Sequence, residues 1–221
     1  MKLTSRGGIA LLIILLSAPL IHGQDLSKYR NFSFGMSLAD ISKQIDKTPA
    51  DAALIHERPA LIQQLTWWPS VTLLESPLRA EAVQQIRFSF YNGELFRIGI
   101  TYDSTATKGL TTEDMVQAMT VKYGATTGPA GEIKESYGAT EKVLARWEDS
   151  QNSFNLIRSS LSNTFELVMF VKAVDARAEA ADTEGLKLEK DEAPQRELAR
   201  AKKDADDLET VRQKNLKAFR P

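Results

Sequence analysis

Three features of the sequence predict an α+β domain with an antiparallel β-sheet and two short capped helices on one face. The first is the stretch Val83 to Tyr102, where Ile86, Phe88 and Phe90 alternate with Arg87 and Ser89, and Phe96, Ile98 and Ile100 with Arg97 and Thr101. A period of two around Asn92-Gly93 reads as a hairpin. The second is a series of further alternating runs, Lys142 to Glu148, Ser153 to Arg158 and Thr164 to Val171, separated by turn-forming residues. The third is a helix start that occurs twice: Gly35, Ser37, Asp40, Ile41 and Ile45 match Gly109, Thr111, Asp114, Met115 and Met119 at a constant offset of 74. The recurrence reads as a tandem αβββ duplication over 32–102 and 107–172. The competing reading is chance recurrence, since Gly-x-Ser/Thr-x-x-Asp is ordinary helix-start chemistry.

Taken in order, the chain opens with a basic start, Lys2 and Arg6, an apolar run from Ile9 to Ile21 broken by Ser17 and Pro19, and small Gly23. This is the pattern of a signal peptide over 1–23, too short in its apolar run to serve as a spanning helix. Export to the periplasm or the exterior is the expected localisation. The mature chain then carries 26 basic against 29 acidic residues, a net charge of −3 once Lys2 and Arg6 are gone, so a general affinity for nucleic acid or anionic membranes is not encoded. The absence of cysteine excludes a disulfide framework, thiol chemistry, zinc-thiolate sites and a lipid anchor on an amino-terminal cysteine.

The domain is expected over 25–174. A short extended run from Tyr29 to Phe34 leads to the helix capped by Ser37 and stopped by Thr48-Pro49. A short helix over Ala50 to His56 and a strand over Leu61 to Trp68 follow, with Val71 to Leu74 as one further short strand. His56, the one histidine left in the mature chain, is expected at the surface or a helix end. In the hairpin, a two-residue turn at Asn92-Gly93 would set Phe88 opposite Arg97 and split the apolar sets between faces. A three-residue loop Tyr91-Asn92-Gly93 with a bulge avoids this by pairing Phe88 with Phe96 and Ile86 with Ile98. The second helix spans Thr112 to Tyr123 and ends at Gly124. Ala125 to Thr140 reads as a loop, and Thr164 to Val171, apolar on both sides, as an interior strand.

From Asp175 the composition turns to Ala, Glu, Lys, Arg and Asp, so 175–221 is expected to be a separable charged extension, helical from Pro194 to about Ala218. Leu198, Ala201, Ala205 and Leu208 recur at 3-4-3 spacing before Arg212 and Asn215 interrupt the seam, which weakens a coiled coil. A solvated helix therefore takes precedence over oligomerisation through 195–218.

Phe34-Gly35-Met36-Ser37-Leu38 leading into a short helix and an antiparallel meander resembles the helix-then-meander repeats of exported bacterial proteins, of the type seen in β-lactamase-inhibitor-like domains and small outer-membrane-assembly lipoproteins. The resemblance implies a module that binds other proteins through a sheet face, and no single residue match carries a site across.

With one histidine in the mature chain and with no cysteine, metal-ligand spacing or phosphate-cradling glycine loop, the protein is expected to be a non-catalytic exported binding module without cofactor or metal. Its partner would be another protein or an envelope component. The alternative is a small secreted hydrolase working through paired carboxylates drawn from Glu75, Glu81, Glu94, Asp103, Glu148 and Asp149. The candidate binding residues are Trp68, Arg87 and Arg97. Adjacent side chains in a strand face opposite ways, so Trp67 joins the core while Trp68 looks outward on the face shared by the two arginines.

Overall fold

The computed structural model describes residues 25–69, 82–128, 130–134 and 139–220. The expected signal peptide, the short strand at Val71 to Leu74, Glu75 and Glu81 lie outside them. A two-stranded hairpin, β1 (Lys28–Tyr29) and β2 (Phe32–Ser33), precedes helix α1 (Leu38–Gln44). A 3-10 turn over Pro49–Asp51 then leads into four strands: β3 (Ala53–His56), β4 (Ile62–Trp67), β5 (Val83–Tyr91) and β6 (Glu94–Tyr102). Helix α2 (Thr112–Tyr123) precedes four more: β7 (Glu132–Lys134), β8 (Thr140–Glu148), β9 (Asn152–Arg158) and β10 (Phe165–Val171). Helix α3 (Lys172–Ala218) closes the chain.

The eight strands from β3 to β10 form one antiparallel sheet in the order β3-β4-β5-β6-β10-β9-β8-β7. Each half is thus a capped helix followed by four strands where the sequence led to three, because β3 and β7, the latter inside the expected loop, add an edge strand to each, and the last strands of the halves pair at the centre, with Gly99 opposite Val168. The caps themselves are alike. The Ser37 hydroxyl accepts from the Asp40 amide at 3.1 Å, and the Thr111 hydroxyl from the Asp114 amide at 3.2 Å. The Asp114 carboxylate in turn accepts from the Thr111 backbone amide and hydroxyl, and these bonds hold it below the usual carboxylate range.

Both short helices pack on the same sheet face. Ile41 and Ile45 of α1 and its cap, with Met115, Met119 and Tyr123 of α2, meet Leu65, Phe88, Ile98, Ile100, Leu156 and Leu167 in one apolar core. Trp147, almost fully buried, fixes the end of α2 by donating from Nε1 to the Gly124 carbonyl at 2.8 Å. β10 sits inside the sheet as its pattern requires: Phe165, Leu167 and Met169 join this core, while Val168 and Phe170 join Ile133, Val143 and Ile157 on the other face.

The hairpin solves the parity problem differently from the sequence-based expectation. Asn92 and Gly93, at φ 51° and 85°, make a two-residue turn that sets Tyr91 opposite Glu94. The register then shifts between Ser89 and Phe90, so that Phe88 pairs with Ile98 and Ile86 with Ile100. The extra residue is Phe96. The bulge restores face parity inside the strand instead of in the turn. It also leaves Leu95 free to bond away from β5: Leu95 donates to the Met36 carbonyl and accepts from the Gly35 amide, both at 2.8 Å, which ties the entry of α1 to the hairpin tip. Phe96 consequently leaves the core face and lies on the opposite side beside Tyr91, with ring centroids 6.4 Å apart.

Three other expectations are corrected. Residues 53–56 are strand where a helix was expected, because only Pro49–Asp51 winds up before the chain enters the sheet. α1 stops at Gln44, ahead of Thr48-Pro49, since Asp46 turns into the left-handed region at φ 55°. The charged helix begins at Lys172, directly from β10, and runs 47 residues through Asp175 with Pro194 in its interior. No helix among the described residues is long and apolar enough to cross a membrane.

Phe88 is fully buried and its ring meets Phe32 at 4.7 Å. Phe88→Ala should therefore lower stability by about 3–5 kcal/mol in denaturant melts. A loss below about 1 kcal/mol would mean that this face is not the core.

Candidate functional site

The sheet face opposite the short helices carries polar groups that a sheet does not normally bury, and α3 exists there to meet them. Along α3, Asp175, Glu179, Asp182 and Glu189 fall at i, i+4, i+7 and i+14, all on one side of a helix with 3.6 residues per turn. Ala178, Ala181 and Gly185 lie between them on the same side and are buried, which lets the helix approach the strands closely. The acidic side meets Arg97, Lys134 and His56 in succession.

Arg97 and Asp175 form the inner contact. Nε and Nη2 of Arg97 donate to the two carboxylate oxygens at 2.8 and 2.9 Å, and Nη1 donates to the Lys134 carbonyl at 2.6 Å. Both residues are buried, and the Phe170 ring lies 5.1 Å from the guanidinium carbon. A bidentate pair with its remaining donor satisfied is the geometry in which a buried ion pair is tolerated. The next contact is looser, with Lys134 Nζ 3.8 Å from Glu179.

His56 is the outer contact, and it corrects the expectation of a surface histidine. The strand end at β3 points its ring under α3, where it is 4% exposed. Nε2 faces Asp182 Oδ1 and Nδ1 faces Glu189 Oε1, each at 3.0 Å. Gly185 sits directly over the ring. A Cβ there would stand 2.9 Å from the imidazole and 3.0 Å from the Arg58 carbonyl, so a side chain would lift the helix off. Just beyond, Arg58 pairs with Glu192 at 2.9 Å. From residue 193 onward every described side chain of α3 is exposed, and the helix runs free of the sheet for about 40 Å.

Between these contacts the helix bridges the sheet without filling the space beneath it. A cavity of about 250 Å³ remains, with apolar walls from Ile55, Ile62, Phe96, Ala178 and Leu186, and with Arg97 and Asp175 at its inner end. The bulge matters here, because it is what turns Phe96 into this space.

Of the residues singled out from the sequence, Arg97 lines the cavity, paired to Asp175 and buried where solvent exposure was expected. Arg87 shares the face but reaches across Gly99 to Glu166 at 3.0 Å; a Cβ on Gly99 would lie 3.4 Å from the guanidinium. Trp68 lies past the end of β4, 59% exposed, while Trp67 packs against the core as expected. The structure does not bring the three together into one cluster. Among the carboxylates considered for hydrolysis that the structure describes, three have structural partners. Asp103 and Asp149 accept backbone amides in turns, and Glu148 pairs with Lys172 at 3.0 Å. Burial pushes Asp149 upward, but hydrogen bonds from Asn152 and Gln151 outweigh it and hold the group below its ordinary value. Among the described residues no group of three or more His, Asp or Glu side chains has the arrangement of a metal site.

Sequence reasoning missed Asp175, Asp182, Gly185 and Glu189. The available signal was the acidic residues at helical spacing interleaved with Ala178, Ala181 and Gly185, a small-residue face inside a stretch that reads as fully solvated. Comparison with known proteins leaves the site to its own geometry: no protein family, curated protein or solved structure matches the chain.

Replacing Arg97 by Met leaves Asp175 charged and buried, and should cost about 3–5 kcal/mol in urea melts. Replacing both, Arg97→Met with Asp175→Leu, should recover most of that loss. A single substitution that costs under about 1 kcal/mol would mean that the pair is not buried in solution.

Proposed function

We propose that the protein is an exported, non-catalytic binding module whose ligand site is the cavity beneath α3. The observation that carries this reading is the state of the cavity's polar wall. Arg97 and Asp175 satisfy each other, so the surface offered to a ligand is the apolar wall of Ile55, Ile62, Phe96, Ala178 and Leu186, with the uncharged polar groups of Gln63, Gln64, Ser89 and Thr183 beside it. At the rim, Lys134 and Glu179 are only loosely paired, the lysine largely exposed and the carboxylate partly so. Apolar walls with a few placed polar groups are the usual composition of a small-molecule site. The ligand chemistry that fits is a small amphipathic molecule, its apolar body in the cavity and its charged or polar end at the rim. Export is supported by the pattern of residues 1–23, with basic Lys2 and Arg6 before the apolar run.

A second reading rests on Trp68, which is 59% exposed just past the end of β4. Large aromatics of this kind anchor protein partners. Such a partner would dock beside the cavity, reached through Trp68 and Arg87.

The anionic aromatic amphiphile 8-anilinonaphthalene-1-sulfonate serves as the probe. Titration into the native mature protein should give saturable fluorescence at one site. Ala178→Leu, which projects into the cavity, should weaken that binding by about tenfold or more, the scale of 1.4 kcal/mol. Trp68→Ala should leave it unchanged. Equal affinity in the wild type and Ala178→Leu would overturn the cavity as the site, and loss of binding on Trp68→Ala would move the site to the second location.

A further inference from the structure

Beside the cavity, Asp182 of its lining takes part with Glu189 in holding a buried histidine between two carboxylates. We propose that α3 is a proton-controlled strap: protonated His56 holds it down, and loss of the proton releases its middle turns from the sheet. The proposal rests on the reading of the cavity as a binding site for its biological meaning, but its physical content stands on the His56 geometry alone.

Both ring nitrogens of His56 face carboxylate oxygens at 3.0 Å, Nε2 to Asp182 and Nδ1 to Glu189. A carboxylate only accepts, so each contact is a hydrogen bond only when its nitrogen carries a proton. The imidazolium meets both requirements. A neutral ring meets one, and turns the lone pair of its other nitrogen toward an anion. The ring cannot evade this by turning to water, because it is 4% exposed and lies under Gly185. The strap has little else to hold it at this point. Its apolar contacts there are made by Ala181 in a small cluster with Ala60, Ile62, Ile55 and Tyr91, beside the cavity.

The other charged groups near the ring come from its own strand end and from α3. Glu57 and Arg58 follow it in the chain, and Arg58 is paired with Glu192 of α3, while Arg196 lines the same cleft. Neither carboxylates nor guanidinium groups normally change charge between roughly pH 5 and pH 9, the span in which imidazole does. The sign follows directly. The histidine contribution to docking is the pair of hydrogen bonds that the doubly protonated ring makes and the neutral ring cannot make together. Arg97–Asp175 on the inner side and Arg58–Glu192 on the outer side keep their charges throughout, so release is a local opening of the turns between them and not a loss of the whole helix.

The test is amide hydrogen exchange of the full mature chain, followed by mass spectrometry across residues 176–192 and corrected for the intrinsic pH dependence of exchange. Protection of that segment should fall by about tenfold or more between pH 5 and pH 9, the scale of one hydrogen bond to a charged group, while β5 and β6 stay protected. Two variants should abolish the pH dependence: His56→Gln, and the double substitution Asp182→Asn with Glu189→Gln, which alters only partly exposed helix positions and spares the sheet. Flat protection in the wild type overturns the strap. So does an unchanged pH profile in the double variant, even where His56→Gln fails to fold. The readout uses no ligand, so failure of 8-anilinonaphthalene-1-sulfonate to bind would count against the cavity reading and leave the strap standing.

Discussion

A cation on the outer face of the sheet has to be neutralised without water, and the course of the last quarter of the chain follows from that requirement. Arg97 lies on β6, next to the central pairing of the two halves, with its side chain on the face opposite the short helices. Unpaired, it would carry the full cost of a buried charge. The chain leaves β10 at Val171 and turns at once into α3, whose fourth residue is Asp175, so the neutralising carboxylate arrives within the first turn. That contact sets the direction of the helix over β6, β5 and β4 toward β3. His56 and Arg58 then meet Asp182, Glu189 and Glu192 along the same line.

The two faces of the sheet are consequently held by different physics. On one, α1 and α2 bury a continuous apolar core in which large side chains interlock, and stability there scales with area and packing. On the other, α3 is fastened at separate points by charge pairs and close approach of small residues, with a void left between the fastenings. An element attached in this way can open locally while the apolar face remains folded. The same fastening by charge permits a single proton at His56 to matter, since the apolar contact it supplements is small.

The parts of the fold governed by period and capping were legible in the sequence, and the parts governed by tertiary charge pairing were not. The spans of β4, β5, β6, β9 and β10 follow from alternation, and α2 from Thr111 to Gly124 follows from its capping box and terminal glycine. The hairpin register was misread at one residue. Parity demanded an odd insertion somewhere, and nothing local distinguishes a bulge at Phe96 from one in the turn; the choice is made by Gly35 and Met36, some sixty residues away, bonding to Leu95. Arg97 was recognised as outward-facing, yet its partner lies in a stretch whose composition is that of a solvated helix. Nothing within either segment says that Asp175 and Arg97 meet. Trp67 illustrates the opposite case, since alternation along the strand assigns it to the core that it packs against.

Helix α3 is two things in one: a docked roof over the sheet to about residue 192, and an unsupported rod beyond it. Residue-resolved amide exchange at a single pH near 6 distinguishes them most directly. Amides of residues 175–190 should show protection well above that of an isolated helix, and those from about 195 to 216 should exchange with only the slight protection of a solvated one. Uniform weak protection along the whole of α3 would contradict the docking. Uniform strong protection through residue 216 would contradict the free rod and show that the distal helix has a partner.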